Sequence, residues 1–410
     1  MARIFNDRII VSIDVGTTKM CVLVAHQLDG DRFEIIGVGR APSEGLRKGV
    51  VVDVSKAVRS IRQAVKEAEL MAGVMIESAY VGISGGHILS INSHGVVPIK
   101  RGQIDYGDIE RALAAAQAVP IEQDHQILHV LPQYFVIDAR DKVMAPIGMH
   151  GIRLEVQAHI VMGAVASVQN LVHCCQMAGV KVKDIILEQL ASADAVLSKD
   201  ERELGVAVLD IGGGTSDLAL YQHGSIRHTM VLPVAGNHFT NDVAIGLRTT
   251  LGEAERIKKE YGHTLFDVLE KDELIEIEMV HGNDSQIVRV SNLTHILRPR
   301  AQELLRLVYE EIAKRQLFPF MPAGLVLTGG GSLLRGMQES AESLFNIPVR
   351  IGRPQVEFDS PNSLYSPIYA TGYGLLVHAL KKQAGSFGQV SGPVYKRVLA
   401  SMKSWVADFF

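Results

Sequence analysis

The sequence predicts an α/β fold made of two similar lobes that face one another. An apolar strand that ends near Asp14 leads into a turn of glycine and hydroxyl residues, and the same plan returns at Asp210, 196 positions later. Between these units, segments with apolar residues three or four positions apart alternate with short apolar runs, as helices and strands do. At 410 residues the chain is also too long for one small hydrophobic core.

The composition indicates a substantial interior and little net charge. Hydrophobic residues make up 47% of the chain, charged residues 21%, and the net charge is −4. This charge gives no reason to expect binding to nucleic acid. Because Cys21, Cys174 and Cys175 fit neither a disulfide framework nor a zinc spacing, we expect buried free thiols and a reducing, cytoplasmic setting.

The elements between the repeated units follow from their periodicity. Residues 82–160 are predicted to form a module inserted in the first lobe, and Pro132 is expected to interrupt one of its strands. Helices are predicted over residues 56–72, 108–119, 301–316 and 371–382, and strands over 79–84 and 127–137. This mixture of helices and strands is typical of the α/β class.

Three glycine-rich turns carry residues suited to a bound polyphosphate. The first spans Asp14 to Lys19, the second Asp210 to Asp217, and the third Thr328 to Ser332. Glycine lets backbone N–H groups approach phosphate oxygens closely, and neighbouring hydroxyls and a lysine add hydrogen bonds and positive charge. One such turn alone could be an ordinary hairpin, whereas three in this order predict ATP binding.

The residue types in these turns suggest individual roles. Asp14 and Asp210 lie at strand ends and could hold hydrated Mg²⁺ from opposite sides. The third turn is expected to pack its flat backbone against the adenosine. The residues predicted to bind nucleotide from these turns are Asp14, Gly16, Thr17, Thr18, Lys19, Asp210, Gly212, Gly213, Gly214, Thr215, Gly329, Gly330, Gly331 and Ser332.

The three turns together resemble those of the superfamily that contains actin, Hsp70 and the sugar kinases. The resemblance implies an ATP cleft between two lobes with the same sheet-and-helix core. It places Glu188 near the attacking water, although a carboxylate interacting with the helix dipole at a helix start is the alternative. Glu255 and Lys258, three residues apart on one predicted helix face, match the adenosine-contacting helix of that superfamily.

Longer motifs resemble the FtsA family of bacterial cell-division proteins. They occur in order from Ile9 to Ala379, and a resemblance resumes at the last helix. The motifs cover residues 83–95, 127–135, 148–155, 236–242 and 369–376. The fourth of these contains Gly236 and Asn237, which are also predicted to bind nucleotide. Gln189 departs from the pattern, because the family usually has proline after the glutamate, and this puts the catalytic role of Glu188 in doubt.

The residue patterns and the family resemblance together imply a division of the chain into domains. The implied ranges are a first-lobe core over 1–81 and 161–204, the inserted module over 82–160, a second-lobe core over 205–236 and 301–380, a tip domain over 237–300, a flexible linker over 381–393 and a final helix over 394–410.

FtsA-like proteins polymerise head to tail and carry FtsZ filaments to the inner face of the cytoplasmic membrane. The resemblance implies that the tip domain takes the FtsZ C-terminal peptide and that the inserted module contacts later division proteins. We hypothesise that cationic side chains attract an acidic peptide, although they could equally be solvated charges. The candidates are Arg298 and Arg300, with Lys258, Lys259 and Arg289 as further positive charges.

The last residues predict an amphipathic helix that lies on the membrane surface. The apolar stripe consists of Tyr395, Val398, Leu399, Met402, Trp405, Val406 and Phe409. Lys403 and its basic neighbours favour anionic lipids. A helix docked on the body, or on a protein partner, is the alternative. The charged N-terminal segment does not resemble a secretory signal, and no apolar run of about 18 residues predicts a membrane span.

The sequence thus predicts an ATP-binding, peripheral membrane protein of cell division, in which hydrolysis is weak or regulatory. A small-molecule kinase or a pilus-assembly protein of the same superfamily remains an alternative. A kinase would need a substrate carboxylate in the cleft and would not need the final helix. We do not expect a chaperone ATPase, because a short linker and one helix, rather than a peptide-binding β domain, follow residue 382.

Overall fold

A computed structural model describes residues 8–28, 32–265, 272–280, 285–355 and 362–383. The predicted final helix over 394–410 lies outside these residues, as does the predicted linker apart from its first three positions. Within the described residues, no helix has the length and apolar character needed to cross a membrane.

The first half of the chain forms the first lobe and the inserted module. Its elements are β1 (Ile9–Val15), β2 (Lys19–Gln27), β3 (Phe33–Pro42), β4 (Leu46–Arg47), β5 (Val50–Val51), α1 (Val54–Ala72), β6 (Ser78–Ile83), β7 (Ile88–Pro98), α2 (Tyr106–Ala116), β8 (His125–Ile137), β9 (Lys142–Val143), β10 (Arg153–Ala164), α3 (Val165–Met177), β11 (Lys181–Leu187), α4 (Glu188–Val196) and α5 (Lys199–Leu204).

The second half forms the second lobe and a returning helix. Its elements are β12 (Val206–Ile211), β13 (Ser216–Gln222), β14 (Ser225–Leu232), α6 (Gly236–Leu247), α7 (Leu251–Tyr261), β15 (Leu274–Glu278), β16 (Ser285–Arg289), α8 (Val290–Lys314), β17 (Leu325–Thr328), α9 (Met337–Phe345), β18 (Val349–Ile351) and α10 (Ala370–Gln383).

The two lobes contain five-stranded sheets of the same topology. The first has the order β11-β6-β1-β2-β3 and the second β18-β17-β12-β13-β14. In each, three consecutive strands pair antiparallel, and two later strands add parallel on the other side. The central strands β1 and β12 carry Asp14 and Asp210 one position before their ends. The predicted duplication of an α/β core is confirmed.

The inserted module is a four-stranded sheet, β7-β10-β8-β9, with α2 against one face. Pro132 does not interrupt β8, contrary to the prediction. Instead the strand continues through a β-bulge, in which Pro132 pairs with Ala158, Tyr134 pairs with Gln157, and Gln133 is the extra residue. A bulge of this kind accommodates a residue that cannot donate a ladder hydrogen bond.

One predicted helix differs from the observed one in length, and another packs on the lobe to which it was not assigned. Helix α8 starts at Val290 rather than at residue 301 and contains Pro299, because buried apolar residues such as Leu293 and Leu297 hold its first turns against the second-lobe core. Helix α10 falls within the range assigned to the second lobe, yet it packs on α4, β1 and β6 of the first lobe. The chain therefore crosses back to the first lobe before residue 370.

The cysteines are buried free thiols, as predicted. Cys21 lies in β2 beneath the first glycine turn, and Cys174 and Cys175 lie in α3. Burial raises the pKa of Cys21 to about 11 and that of Cys175 to about 12. These thiols are therefore protonated and unreactive at neutral pH.

Candidate functional site

The two repeated turns meet at the cleft between the lobes. A side chain at Gly213 would place its Cβ 2.4 Å from Thr18 Cγ2, and one at Gly214 would place it 2.3 Å from Thr17 Oγ1. The turns therefore approach each other so closely that only glycine fits on the second-lobe side. The hydroxyl of Thr17 also accepts a hydrogen bond from the Gly49 N–H at 3.1 Å, which fixes the first turn to the strand pair β4–β5.

The third turn lies beside the second one. Gly329 has φ +79°, and a Cβ there would lie 2.1 Å from Asp210 Oδ1. Ser332 is buried, and its hydroxyl donates to the Gly329 carbonyl at 2.7 Å. Ser332 thus holds the turn in shape through its own backbone, and the turn presents glycine backbone to the cleft.

Lys19 follows the first turn and reaches across to the segment before α10. Its Nζ donates to the carbonyl of Ile368 at 2.5 Å and lies 4.8 Å from the ring centroid of Tyr369. Burial raises the pKa of both Asp14 and Asp210, and the positive charge of Lys19 opposes that rise at each carboxyl. The predicted cation therefore faces the two predicted metal ligands.

Asp14 and Asp210 are both buried at the base of the cleft. Burial raises the pKa of Asp14 to about 6, against the opposing effect of Lys19, and Asp210 raises it further. Asp210 is oriented by two hydroxyls from the first-lobe side: Ser192 donates to its Oδ2, and Thr371 donates to the same oxygen at 3.0 Å. Burial also raises the pKa of Asp210, while these hydrogen bonds lower it.

Asp217 belongs to the same cluster but was not among the predicted site residues. It lies directly opposite Asp210 in the β12–β13 ladder and is 3% exposed. The hydroxyl of Ser84, at the end of β6 in the first lobe, donates to Asp217 Oδ1 at 2.5 Å and lies 3.2 Å from Thr215 Oγ1. Burial raises the pKa of Asp217 to about 7.

The sequence contained one signal for Asp217 and none for its partners. Asp217 is the last residue of the second glycine-rich turn and the one charged residue in β13. Ser84, Ser192 and Thr371 are 133, 18 and 161 positions from the aspartates they contact, and small hydroxyl residues at strand and helix ends are too common to identify.

Glu188 begins α4 and faces the three aspartates. Burial raises its pKa well above the usual value, with Asp14, Asp217 and Asp210 as further causes in that order. Gly82 leaves room for it, since a Cβ at Gly82 would lie 3.2 Å from Glu188 Cγ. Glu188 therefore starts a helix, as the alternative interpretation held, and also points at the carboxylate cluster.

The predicted residues of α6 and α7 join the second turn. The N–H groups of Gly236 and Asn237 donate to the carbonyls of Gly212 and Gly213 at 3.0 and 2.8 Å. Lys258 Nζ donates to Glu255 Oε2 at 2.6 Å and to the Gly236 carbonyl at 3.2 Å. Burial lowers the pKa of Lys258, while its pairing with Glu255 opposes that shift.

These residues fit a nucleotide with a divalent cation. Four carboxyl groups from both lobes face each other with raised pKa values, and their oxygens are the ligands that Mg²⁺ prefers. A divalent cation would offset the mutual repulsion of the carboxylates. Around them lie glycine turns where a Cβ would collide with neighbouring atoms, and glycine is the residue that lets backbone N–H groups approach a phosphate closely.

Other predicted residues lie apart from this cleft. Arg300 on α8 donates from Nη2 to Asp242 Oδ1 at 3.0 Å and also pairs with Glu303, so its charge is largely satisfied within the chain. Arg298 lies two positions away on the same helix. The predicted membrane-contacting residues, from Tyr395 to Phe409, lie outside the described part of the chain.

Two family models match the chain. One, described as "Cell division protein FtsA", covers residues 207–374. The other, described as "SHS2 domain inserted in FTSA", covers residues 85–162, which correspond to β7–β10 and α2. The second match confirms that the four-stranded sheet is an inserted domain.

Similar sequences extend over the whole chain. The chain is 44% identical to the cell division protein FtsA of Pseudomonas aeruginosa, with 100% of both chains covered. It is 36% identical to FtsA of Escherichia coli K12, covering 99% of this chain and 97% of that one, and 38% identical to FtsA of Bacillus subtilis, covering 92% and 84%.

Solved structures share the fold at low sequence identity. A PilM–PilN type IV pilus biogenesis complex has a TM-score of 0.66 at 17% identity, covering 90% of this chain and 98% of that one. MreB5 of Spiroplasma citri bound to ADP has a TM-score of 0.56 at 16% identity, covering 92% and 98%. The predicted actin-like fold is thereby confirmed.

Proposed function

The chain belongs to the FtsA family of cell-division proteins, and on this premise we propose that it binds ATP with Mg²⁺ between its lobes and anchors FtsZ filaments at the membrane. The observation that carries the nucleotide part is the convergence of three glycine turns on buried carboxylates from both lobes. One structural neighbour, MreB5, was solved with bound ADP, which supports the same proposal.

Each group of the cleft has a role in this proposal. The backbone N–H groups of residues 16–18 and 213–215 bind phosphate oxygens, whereas the Gly212 N–H donates to the Thr215 carbonyl and holds the turn closed. Lys19 leaves the Ile368 carbonyl to pair with the phosphates. Asp14 and Asp210 would hold Mg²⁺, which supplies positive charge to the phosphates when bound. Gly329–Ser332 and the pair Glu255–Lys258 contact the adenosine.

The carboxylates define what the cleft can do beyond binding. Glu188 orients a water molecule towards the terminal phosphate, and burial among three aspartates raises its pKa above that of an ordinary carboxyl. Hydrolysis also needs that water in line with the phosphate bond that breaks. In this proposal turnover is slow, and ATP acts mainly by closing the lobes. Lobe closure then sets the contacts between successive subunits of a head-to-tail polymer.

Membership of the family supports the remaining parts of the proposal. The tip domain, 237–300, receives the FtsZ C-terminal peptide, with Arg298 attracting its acidic residues. Arg300 would join it only by exchanging its pairing with Asp242 and Glu303 for the peptide's carboxylates. The module, 82–160, contacts later division proteins, and the helix 394–410 lies on anionic lipids at the cytoplasmic face of the membrane. One helix binds reversibly, whereas a polymer presents many copies and binds far more firmly.

Co-sedimentation with anionic liposomes tests this function. We expect the full-length protein with ATP to pellet with vesicles and to carry a labelled FtsZ C-terminal peptide down. A chain ending at residue 393 should bind the peptide and ATP but stay in the supernatant, because it lacks the apolar stripe. A control with Trp405→Glu and Val406→Glu introduces charge on the same stripe without shortening the chain and should behave like the truncation.

Two outcomes would contradict the proposal. Vesicle binding that survives the truncation would place the membrane contact elsewhere in the chain. A full-length protein that binds ATP but ignores both vesicles and peptide would favour a small-molecule kinase or a pilus-assembly protein of the same superfamily.

A further inference from the structure

The inserted module contacts both lobes, although it is covalently part of only the first. Its strands β7, β8 and β10 lie against β14, which is an edge strand of the second-lobe sheet. On the first-lobe side, His129 of β8 accepts a hydrogen bond at its Nε2 from the N–H of Leu187, the residue before Glu188. The module therefore touches the backbone next to the cleft and the far lobe at once.

Side chains make the contact with β14, in place of a backbone ladder. Ser90 Oγ donates to the Thr229 carbonyl at 3.0 Å, and Gln133 Nε2 donates to the Ile226 carbonyl at 2.8 Å. Asn92 Nδ2 and Gln133 Nε2 also reach the Arg227 carbonyl, both at 3.3 Å. We call this set of contacts between residues 90, 92, 133 and 159 and residues 226–229 the seam.

Two β-bulges face each other across the seam. Gln133 is the extra residue of the bulge in β8, and Arg227 is the extra residue of a bulge in β14, where Leu220 pairs with His228 and Tyr221 with Ile226. A bulge turns a side chain out of its regular alternation and disrupts the ladder around the extra residue. The bulge in β8 thus directs the Gln133 amide at the Ile226 and Arg227 carbonyls, which lie at the bulge in β14.

A neutral histidine lies at the centre of the seam. His159 is 1% exposed, and burial lowers its pKa to about 3. Its Nδ1 lies 2.7 Å from Asn92 Oδ1, and its Nε2 lies 2.8 Å from Thr229 Oγ1. Because Asn92 Oδ1 also accepts from Gln133 at 3.1 Å, Nδ1 carries the proton and Nε2 accepts the Thr229 hydroxyl.

The chemistry of the seam makes it specific and separable. The hydrogen bonds of the seam join groups that can also bond to water, and beside them Ile226 and Val231 of β14 share a hydrophobic cluster with Leu128 and Val161 of the module. The apolar core of the module itself, between its sheet and α2, lies on the opposite face. Buried polar groups of this kind strongly favour one arrangement over others, because a shifted one leaves donors and acceptors unsatisfied. The module should therefore move with β14 as one body or detach from it.

We propose that the seam couples the module to the second lobe, so that lobe closure on nucleotide reorients the module relative to the first lobe. The proposal rests on the nucleotide function given above. A partner protein that binds the module in only one orientation would then change the affinity of the chain for nucleotide. By thermodynamic linkage, nucleotide changes the affinity for that partner by the same factor, typically about 5-fold or more.

Energy transfer between two dyes tests the coupling. Lys66→Cys on α1 and Ala114→Cys on α2 provide exposed attachment points in the first lobe and the module, and the chain's own three cysteines are buried. We expect ATP with Mg²⁺ to change the transfer efficiency in the otherwise unaltered protein. Thr229→Val removes the hydroxyl that donates a hydrogen bond to His159, and Gln133→Leu removes the amide at the bulge in β8. In both variants, ATP with Mg²⁺ should no longer change the transfer efficiency.

Matched variants separate the seam from general damage. Gln103→Leu removes an amide that donates to the Gly148 carbonyl within the module, at 2.9 Å, and should keep the change in transfer. Ser90→Ala removes one rim contact and keeps the proposal testable if the central variants do not fold. A fluorescent ATP analogue, titrated into each variant, shows whether nucleotide still binds.

The outcomes distinguish the coupling from the nucleotide function. A protein that does not bind the ATP analogue overturns the nucleotide function, and the coupling with it. A protein that binds the analogue without any change in transfer overturns the coupling alone. The same holds if Thr229→Val, Gln133→Leu or Ser90→Ala binds nucleotide and shows the full change.

Discussion

At the scale of single residues, the clearest sign of function is a pair of carboxyls that the fold does not need. Asp210 and Asp217 are direct partners on β12 and β13, and both are buried. Like charges directly opposite on neighbouring strands destabilise a sheet, and burial adds a desolvation cost. A structural pair at this position would be apolar. The cost is explained if a cation and a phosphate group bind there.

The cost of Asp217 should be measurable as a pH dependence of stability. Its folded pKa, about 7, lies above the ordinary value of 3.8, so the folded state binds the proton more tightly. The resulting stabilisation is complete below pH 3.8 and is lost as the pH rises through about 7. In EDTA, we therefore expect Asp217→Asn to gain stability relative to the unaltered protein, on the order of 2 kcal/mol, between pH 5 and pH 8.

Urea unfolding at the two pH values measures this difference. Asp141→Asn replaces an exposed carboxyl of the inserted module and serves as the control, with no comparable gain expected. An Asp217→Asn protein whose stability relative to the parent is the same at pH 5 and pH 8 would show that this carboxyl does not titrate as its burial implies.

At the scale of elements, periodicity and turn residues predicted most of the helices and strands that surround the cleft. Residues 56–72 and 371–382 match α1 and α10 within two residues, because their apolar faces pack on the first sheet. The start of α8 was missed because Pro299 reads as a helix boundary, whereas buried side chains on both sides keep the helix continuous. Tertiary packing therefore determines where α8 begins, and the periodicity of the sequence does not contain that information.

Helices α4 and α10 pack against each other and run from the cleft towards residue 383, where the described part of the chain ends. Their N-terminal ends carry Glu188 and Thr371, which face the carboxylates, and they pack closely where a Cβ at Gly374 would lie 1.8 Å from the Ala191 carbonyl oxygen. Further along, Lys381 Nζ donates to Asp194 Oδ1 at 2.6 Å. Close backbone contact and this ion pair hold the two helices together.

Gly374→Ala tests this contact. The added methyl group would push the helices apart, and we expect it to lower the free energy of unfolding by about 3 kcal/mol. Gly372→Ala is the matched control, since a Cβ there would lie 3.4 Å from Leu23 Cδ1, an ordinary contact. Urea unfolding of both variants measures the difference, and equal stabilities would show that the helices can separate without cost.

At the scale of the whole molecule, the sequence predicted two lobes because the duplicated strand–turn unit is visible in it. It did not predict how the lobes are joined, because the joining contacts are hydrogen bonds between distant, ordinary residues. Ser84 and Asp217 are 133 positions apart, and Gln133 and Ile226 are 93 apart. The crossing of the chain to place α10 on the first lobe likewise depends on packing that only the folded molecule shows.

Since the cleft residues come from both lobes, a ligand bound there should stabilise the whole molecule. At a free concentration of 100 times its Kd, ATP with Mg²⁺ should add about 2.7 kcal/mol to the free energy of unfolding. Calorimetry should show this as a rise in Tm. Chelating Mg²⁺ with EDTA should remove most of the rise, because Asp14 and Asp210 then face the phosphates without a cation between them.

Two glycine variants make this measurement specific to the third turn. Gly329→Ala, at φ +79° and with a Cβ 2.1 Å from Asp210 Oδ1, should abolish the rise in Tm. Gly330→Ala should keep it, because a Cβ there meets only Ile368 Cγ2, at 3.4 Å. If ATP raised the Tm equally in EDTA, the carboxylates would not act through a metal. If Gly329→Ala responded like its neighbour, the turn would not contribute to the nucleotide site.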